Sequence, residues 1–325
     1  MITLKLLAAP AQVLKKMSTE ANLCRKLVKF ETQNGRKIEL EAVYEDSLTS
    51  GSSLGTVVGF HGSPGSHNDF KYIRYKLDEL NIQFIGINYP GFTFTDGYES
   101  QEHTNIERQN YSNSLLDELG IEGKIAYIGH SRGCENALET AVVRSGQGLV
   151  MINPIGLRIH RGISPMFRME AINAVYSMLP SFAGNALMLA LYKAIGFKIQ
   201  NGDEAINSMR SMMKVSLGGQ LEFIEKTNEM DMKKLIVFAG RDHLVEEEIV
   251  FEVLEKHKGL QHFNFDDKIS DDEQLKIMDS FSGNGASVFV AKDTHFQNKS
   301  QAVLVAEACK AMFENNGKEV VKNKL

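Results

Sequence analysis

A glycine-flanked serine is the first group in the chain whose type and spacing could do chemistry. Residues 129–133 read Gly-His-Ser-Arg-Gly and lie between a short apolar run and a segment of helical character. Such a strand-turn-helix corner needs small flanking residues, because a Cβ at either glycine would meet the neighbouring strand or helix. The corner presents the hydroxyl near the positive end of the next helix. The pattern predicts that Ser131 is a nucleophile; the alternative is a helix-capping serine in a glycine-rich turn.

The base and the acid that a serine nucleophile needs follow two later apolar runs. A serine hydroxyl is a poor nucleophile until a base removes its proton. Asp242 comes shortly after the run KLIVFAG, and His295 comes shortly after the run ASVFVA. The order serine, acid, histidine is typical of this kind of nucleophile turn. We therefore predict His295 as the base and Asp242 as the acid that orients it. Glu246 is a nearby alternative acid, and Asp293 is expected on the outside of the histidine's loop.

A second turn could stabilise the negative charge that develops when a carbonyl is attacked. Residues 61–65 read His-Gly-Ser-Pro-Gly and directly follow the run TVVGF. A glycine-rich turn at this place can aim backbone N–H groups at the substrate oxygen. We predict that the N–H groups of Ser63 and Arg132 form the oxyanion hole, since Pro64 has no N–H. His61 is expected to brace the turn through side-chain hydrogen bonds.

Short apolar runs must position these side chains. The runs are rich in β-branched and aromatic residues, which fits strands buried on both faces of a parallel sheet. Helical segments separate most of them, and Asn34-Gly35 signals a hairpin between the first two. The predicted strands are 27–32, 37–45, 56–60, 83–88, 124–129, 148–153, 234–240 and 286–291. The sequence therefore predicts an α/β fold with a doubly wound, mostly parallel eight-stranded sheet.

The alternation of strand and helix stops between residues 155 and 230. Helix-length segments occur there instead, at 167–178, 186–195 and 204–214. Residues 171–192 carry no charge, but the proline, glycine and asparagines among them argue against a membrane span. We predict a helical cap at 155–230. The remaining expected units are a core at 26–154 and 231–316, an N-terminal extension at 1–25 and a polar tail at 317–325. An acidic insertion at 259–285 is expected to be a solvated loop or a short helix.

The segments HGSPG, INYPGF, GHSRG, GRD and DTHF together resemble the motifs of the α/β-hydrolase superfamily, over roughly residues 43–313. Within it, the chain is most similar to serine hydrolases of esterase or lipase type, in an uncharacterised animal branch. The resemblance implies the α/β-hydrolase fold and a catalytic triad of Ser131, Asp242 and His295. The turn at 61–65 also resembles epoxide hydrolases and haloalkane dehalogenases. Those enzymes have an aspartate where this chain has Ser131, and that difference disfavours both of their reactions.

Composition disfavours several other functions. The net charge of −5 comes with no basic excess, so no nucleic-acid partner is predicted. Three cysteines without paired spacing disfavour a disulfide framework or a zinc site. The nine histidines lack metal-ligand spacing and no nucleotide-binding motif is present, so neither a metal nor a cofactor is expected. A cytoplasmic location is the simplest expectation, with a mitochondrial one as the alternative because three lysines and no acid precede Glu20.

The expected reaction transfers an acyl group from a carboxylic ester to Ser131 and then to water. The predicted cap is rich in flexible thioethers, which suit a yielding apolar pocket or, equally, the packing of the cap on the core. These methionines are Met166, Met169, Met178, Met188, Met209, Met212 and Met213. The expected substrate is an ester of an apolar small molecule or a lipid. No transmembrane span is expected, and a transient contact of the cap with a membrane surface is a further hypothesis.

Two other classes of function stay open. An acyltransferase would use the same triad but exclude water, and a ligand-binding protein would keep the triad without turnover. At the entrance of the cap, a group of basic side chains would either receive an anionic group or be solvated. These are Arg158, His160, Arg161 and Arg168.

Overall fold

One sheet of nine strands forms the centre of the molecule in a computed structural model that describes residues 22–315. The strands are β1 (Leu23–Glu31), β2 (Lys37–Asp46), β3 (Thr56–Phe60), β4 (Gln83–Ile87), β5 (Ile125–His130), β6 (Gly148–Ile152), β7 (Lys233–Arg241), β8 (Gln261–Phe265) and β9 (Gly285–Thr294). Their order across the sheet is β1-β2-β4-β3-β5-β6-β7-β9-β8. β2 pairs antiparallel with both β1 and β4, and all other neighbours are parallel. The functional loops at the carboxyl ends of the parallel strands therefore meet at one edge.

The central strands are apolar on both faces because both faces are covered. Successive residues of a strand point to opposite sides. In β3, Val57 belongs to one hydrophobic cluster and Val58 to the other, and both are fully buried. The same alternation occurs in β4, where Phe84 and Ile85 lie in different clusters. Continuous apolar runs thus fit two helical layers.

Helices alternate with the strands as predicted for the core. They are α1 (Lys71–Glu79), α2 (Asn105–Leu119), α3 (Gly133–Val143), α4 (Met166–Met178), α5 (Ser181–Ala194), α6 (Gly202–Met213), α7 (Gln220–Glu229), α8 (Glu247–Lys256), α9 (Asp271–Asp279) and α10 (Ala302–Asn315). Local sequence explains several of their ends. The Thr104 side chain caps α2 by accepting a hydrogen bond from the backbone N–H of Glu107, and Gly120 ends this helix in the left-handed conformation.

The prediction of eight strands is wrong by one. The additional strand, β8, lies in the segment expected to be a solvated loop or a short helix. It sits at the sheet edge and pairs only with β9. Its sequence, QHFNF, has only two apolar residues, and they alternate with polar ones that face solvent. An edge strand of this kind lacks the continuous apolar run by which the central strands are recognised. The acidic part of the same segment does form a helix, α9.

Four helices, α4 to α7, lie between β6 and β7, and we refer to residues 155–230 as the cap segment. A small hydrophobic cluster holds α4, α5 and α6 together, with Met188, Ile206 and Met209 among its buried members, whereas Ile224 of α7 packs into the core. In residues 22–315, no helix is long and apolar enough to cross a membrane. The N-terminal extension expected at 1–25 lies largely outside the described residues, and the polar tail expected at 317–325 lies wholly outside them.

Candidate active site

Ser131 stands on a strained corner between β5 and α3. Its φ of +54° lies in the left-handed region, which costs a non-glycine residue free energy. Two backbone hydrogen bonds hold the corner: the Ser131 N–H donates to the carbonyl of Ile152 at 2.9 Å, and the Ser131 carbonyl accepts from the N–H of Cys134 at 3.0 Å. The strain places the hydroxyl at the carboxyl edge of the sheet, as a nucleophile turn requires.

The glycines on either side of this corner are required by close packing. A Cβ on Gly129 would overlap the backbone of Cys134, and a Cβ on Gly133 would overlap the carbonyl group of Phe60. The strand and the helix therefore approach more closely than any side chain at these positions allows. Both glycines were expected to be needed for this reason.

His295 and Asp242 form a buried hydrogen-bonded pair beside the serine's corner. Nδ1 of His295 lies 2.7 Å from Oδ2 of Asp242. The other carboxylate oxygen, Oδ1, accepts the backbone N–H groups of Leu244 at 2.8 Å and Val245 at 3.0 Å. Since a carboxylate only accepts, Nδ1 of His295 carries the proton and Nε2 of the neutral ring is left as a base.

Burial and hydrogen bonding act in opposite directions on this pair. Burial lowers the pKa of His295 below its ordinary value, although the carboxylate of Asp242 opposes the shift. Burial would raise the pKa of Asp242, but the hydrogen bond from His295 and those from the backbone hold it below its ordinary value. At neutral pH the pair is therefore a carboxylate and a neutral imidazole, as a general base requires.

Two side chains that the sequence analysis did not assign fix the loop that carries His295. The amide of Asn153 donates to the His295 carbonyl at 2.8 Å, and Nε2–H of His130 donates to the same oxygen at 3.0 Å. His130 ends β5 and Asn153 directly follows β6, so the loop after β9 is tied to two neighbouring strands. The only signal available in sequence was their position at strand ends, because the acceptor is a backbone atom far along the chain.

The predicted alternatives to Asp242 point elsewhere. Glu246 accepts the backbone N–H of Arg161 at 2.9 and 3.1 Å. Asp293 accepts hydrogen bonds from the side chains of Ser300 and Gln301, at 2.8 and 2.7 Å. Neither carboxylate contacts the imidazole of His295, so Asp242 is the one of these three acids that reaches the histidine.

The turn at residues 61–65 lies against the serine's corner. Ser63 lines the same cavity as Ser131. A Cβ on Gly62 would come within 3.3 Å of the Ser131 Cβ. The N–H groups of Ser63 and Arg132 take no part in the backbone hydrogen bonds of residues 22–315, which leaves both donors for a ligand oxygen.

His61 holds this turn through hydrogen bonds on the side away from the cavity, and it does not line the cavity. Its Nδ1–H donates to the Gly62 carbonyl at 2.7 Å, and its Nε2 accepts the backbone N–H of Tyr89 at 3.2 Å. Burial, together with the nearby Arg108 guanidinium, lowers the pKa of His61 to about 3, so the ring is neutral. The same guanidinium donates to the His61 carbonyl at 3.4 Å.

An apolar cavity of about 230 Å³ joins the core to the cap segment. Ser131, His295, Ser63 and His160 contribute its polar groups, and most of the remaining wall is aliphatic, aromatic or thioether. The apolar lining consists of Met169, Ile172, Met188, Leu191, Tyr192, Ile195, Phe197, Met209, Met212, Leu244 and Val245. Within the described chain, no hydrogen bond joins the Ser131 hydroxyl to the His295 ring. Such bonds often tighten only when substrate is bound.

The other cap residues singled out in the sequence divide between the cavity and the surface. Four of the seven methionines line the cavity, and Met178 is 84% exposed. Arg158 pairs with Glu252 at 2.8 Å and Arg161 lies 3.8 Å from Glu246, so both guanidinium groups already face a carboxylate. His160 is buried and its Nδ1–H donates to the Leu244 carbonyl at 2.8 Å.

Comparison with solved structures shows the same fold in several hydrolases. A thermophilic esterase from Thermogutta terrifontis superimposes with a TM-score of 0.58 at 15% identity, covering 90% of this chain and 98% of the esterase. Haloalkane dehalogenase DbeA from Bradyrhizobium elkani gives 0.57 at 14% identity, covering 89% and 98%. A bacterial membrane phospholipase A gives 0.55 at 14% identity, covering 94% and 90%. At these identities the similarity concerns the fold.

Sequence comparison assigns the family. The uncharacterized protein F35H12.5 of Caenorhabditis elegans is 28% identical over 294 residues, which cover 85% of this chain and 82% of the relative. This agrees with the expected uncharacterised animal branch. The family model described as "Alpha/beta hydrolase of unknown function (DUF1057)" matches residues 20–314. The chain therefore belongs to this family of α/β-hydrolases of unknown function.

Proposed function

We propose that this protein is a serine hydrolase that cleaves a carboxylic ester of an apolar small molecule or a lipid through an acyl-enzyme. The observation that carries the proposal is the buried His295–Asp242 pair, at 2.7 Å, in the wall of the cavity that Ser131 also lines. A buried carboxylate–imidazole pair beside a strained serine is the arrangement that activates a hydroxyl.

The proposed reaction has two steps. In the first, Nε2 of His295 takes the Ser131 proton while Oγ attacks the ester carbonyl, and the imidazolium then gives that proton to the departing alcohol. In the second, the imidazole takes a proton from water as the water oxygen attacks the acyl-enzyme; the bond from the acyl carbon to Ser131 Oγ breaks, the acid leaves, and the imidazolium returns the proton to Oγ. The N–H groups of Ser63 and Arg132 stabilise the oxyanion in both steps, and losing one such donor typically costs about 3 kcal/mol.

The cavity wall supports an apolar acyl group as substrate. Its lining offers few hydrogen-bond partners beyond those near Ser131, so a polar acyl chain would lose its hydration without compensation. Four methionines in the wall are flexible enough to adapt to chains of different shape. The cavity volume of about 230 Å³ suits a medium-sized chain better than a bulky one.

The proposal is tested with p-nitrophenyl esters of increasing chain length. Ser131→Ala should lower kcat by at least about a thousandfold, because the hydroxyl that would form the acyl-enzyme is lost. Ser282→Ala serves as the matched control and should retain full activity, because this exposed serine precedes the amino end of β9 and does not line the cavity. Circular dichroism should show both variants folded. Full activity of the Ser131→Ala variant would refute the proposal.

The same assay separates the other two functions. An alcohol added as acceptor would yield a new ester if the protein transferred acyl groups, and free acid if it is a hydrolase. A ligand-binding protein would bind the esters without releasing p-nitrophenol. Release of free acid in the presence of the alcohol is the outcome that the proposal predicts.

A further inference from the structure

The outer surfaces of α4 and α5 are apolar although they face solvent. Large hydrophobic side chains there are exposed to an unusual degree, with Met178 at 84% and Phe182 at 80%. We call this surface the cap patch and define it by Phe167, Val175, Met178, Leu179, Phe182, Leu191 and Ile195. A contiguous exposed apolar surface on a folded protein marks an interaction site.

The pattern along both helices shows that the patch is extensive. In α4, positions 167, 171, 174, 175 and 178 share one face at helical spacing, and all five are apolar and exposed. In α5, positions 182, 186, 190 and 194 do the same. A solvent-facing stripe of a surface helix is normally polar or charged. The opposite faces of the two helices supply Met169, Ile172 and Met188 to the cap cluster, so the exposed apolar stripes come in addition to the faces that pack.

The patch is continuous with the cavity. Leu191 is 36% exposed and also lines the cavity, as does Ile195 next to it. Met169 and Ile172 line the cavity from α4, the helix that presents Phe167 and Met178 on its other side. An apolar chain that left a surface docked on the patch would thus reach the cavity without crossing a polar zone.

Charge distinguishes among the partners that could cover an apolar patch. Residues 166–200 carry Arg168, Lys193 and Lys198 but only one acid, Glu170, in a chain whose net charge is −5. All four side chains are exposed, and within residues 22–315 none of them belongs to an ion pair. A second copy would bring the same positive groups against themselves, whereas an anionic lipid surface would attract them.

We infer that the cap patch docks this protein on an anionic lipid surface, and that the docked protein draws an acyl chain from it toward Ser131. The apolar side chains would enter the boundary between headgroups and acyl chains, with the cations at the headgroups. The docking itself stands on the patch alone, and only the delivery of a lipid ester to Ser131 rests on the function proposed above.

Co-flotation with vesicles tests the docking directly. The intact chain is mixed with vesicles of equal parts phosphatidylcholine and phosphatidylserine, or of phosphatidylcholine alone. The wild-type protein should float with the anionic vesicles, less so with the neutral ones, and less again at high salt. The double variant Met178→Glu/Phe182→Glu should bind at least about a hundredfold more weakly, since two large apolar anchors are lost.

Matched variants separate the patch from general surface effects. Leu275→Glu on α9 alters another exposed leucine, at 65% exposure, outside the cap segment and should leave vesicle binding unchanged. Lys193→Gln and Lys198→Gln should each weaken binding to the anionic vesicles about fivefold, with little effect on the neutral ones.

The outcomes keep the docking distinct from catalysis. A Ser131→Ala protein should still float, and Met178→Glu/Phe182→Glu should still hydrolyse a short water-soluble ester while losing activity on an ester embedded in vesicles. Absence of wild-type flotation would overturn the inference. So would a dimer in solution that the double variant dissociates, because the patch would then cover a second copy. If the wild-type protein did not hydrolyse the soluble ester, the proposed function would be contradicted, while flotation would still show whether the protein docks on lipid.

Discussion

The position of the proton on the His295 ring decides whether this side chain can act as the proposed base, and the proton lies on Nδ1. The Asp242 carboxylate accepts a hydrogen bond from that N–H, which leaves Nε2 without a proton and able to act as a base. His130 and Asn153 hold the backbone of the same loop, so the ring is fixed through both its side chain and its carbonyl. The position of the proposed base is thus set by one carboxylate and by two groups that do not line the cavity.

Asp242→Asn should lower kcat on an activated ester by about four orders of magnitude. The amide N–H of the asparagine can donate to Nδ1, which favours the tautomer with its proton on Nε2 and so removes the base. The same substitution in serine protease triads has an effect of this size. Asp293→Asn is the control, because Asp293 contacts Ser300 and Gln301 and not His295. Comparable losses in both variants would contradict the assignment of Asp242.

The pH dependence of kcat/KM should have its acidic limb below about 6.5, the ordinary pKa of histidine. Burial lowers the pKa of His295. The base must be neutral to act, so activity is present at pH values above its pKa and is lost as the pH falls through it. The measurement is a pH profile with a neutral ester substrate. An acidic limb centred clearly above 7 would mean that a different group limits the reaction.

At the scale of the elements, β5 and α3 can pack closely because Gly129 and Gly133 carry no side chain at their contact. Gly129→Ala should destabilise the fold by roughly 2–3 kcal/mol, because its methyl group would overlap the backbone of Cys134 and neither strand nor helix can yield cheaply. Gly218→Ala is the control, since a Cβ there meets nothing within 4 Å. Urea unfolding measures both. Equal free energies of unfolding would show that the corner is looser than described.

A buried polar network lies behind the same corner and joins α2, α3 and the cap segment. The Arg108 guanidinium donates to the side chains of Asn136 at 2.9 Å and Ser211 at 3.3 Å, in addition to the His61 carbonyl. Arg132 pairs with Glu135, which in turn accepts the backbone N–H of Ser216 at 2.8 Å. The network therefore fixes the cap segment relative to both turns of the candidate active site.

Glu139, which accepts a hydrogen bond from the Asn105 side chain beside this network, makes stability depend on pH. Burial and the neighbouring Glu135 raise the pKa of Glu139 to about 8. The folded protein then holds a proton that the unfolded chain releases, so stability rises as the pH falls from about 8 toward about 4.5. Glu139→Gln should remove this dependence. The free energy of unfolding of the Glu139→Gln variant, relative to that of the wild type, should therefore decrease by about 1.4 kcal/mol for each pH unit as the pH falls from about 8 toward about 4.5. Urea unfolding at several pH values is the test, and a pH-independent difference would contradict it.

For the whole molecule, the sequence predicts those strands that are buried on both faces, and it predicts the edge strands poorly. The central strands are buried on both faces, so their apolar runs mark them, and Ser131, Asp242 and His295 fall just beyond three of those runs. β1 begins four residues before the predicted start, at Leu23, because its exposed face carries polar residues. β8 was missed because an edge strand with one solvated face has no continuous apolar run.

The parts that escaped prediction depend on contacts between distant segments. His130 and Asn153 act on a backbone carbonyl more than a hundred residues away, and no local pattern encodes that. Likewise, the cap methionines could be assigned to the cavity or to packing only once the helices were placed. Four of them line the cavity and Met178 lies on the surface. The uncharged stretch at 171–192 proved to be two short helices with apolar outer faces.

The most direct test of the central claim is the reaction of the intact protein with a fluorophosphonate, followed by mass spectrometry of its peptides. Such a reagent modifies a serine only when a base and an oxyanion site have made it reactive. We expect one adduct, on Ser131, that is abolished in Ser131→Ala and forms much more slowly in Asp242→Asn. An unmodified Ser131 under conditions that label a known serine esterase, or an adduct on another residue, would contradict it.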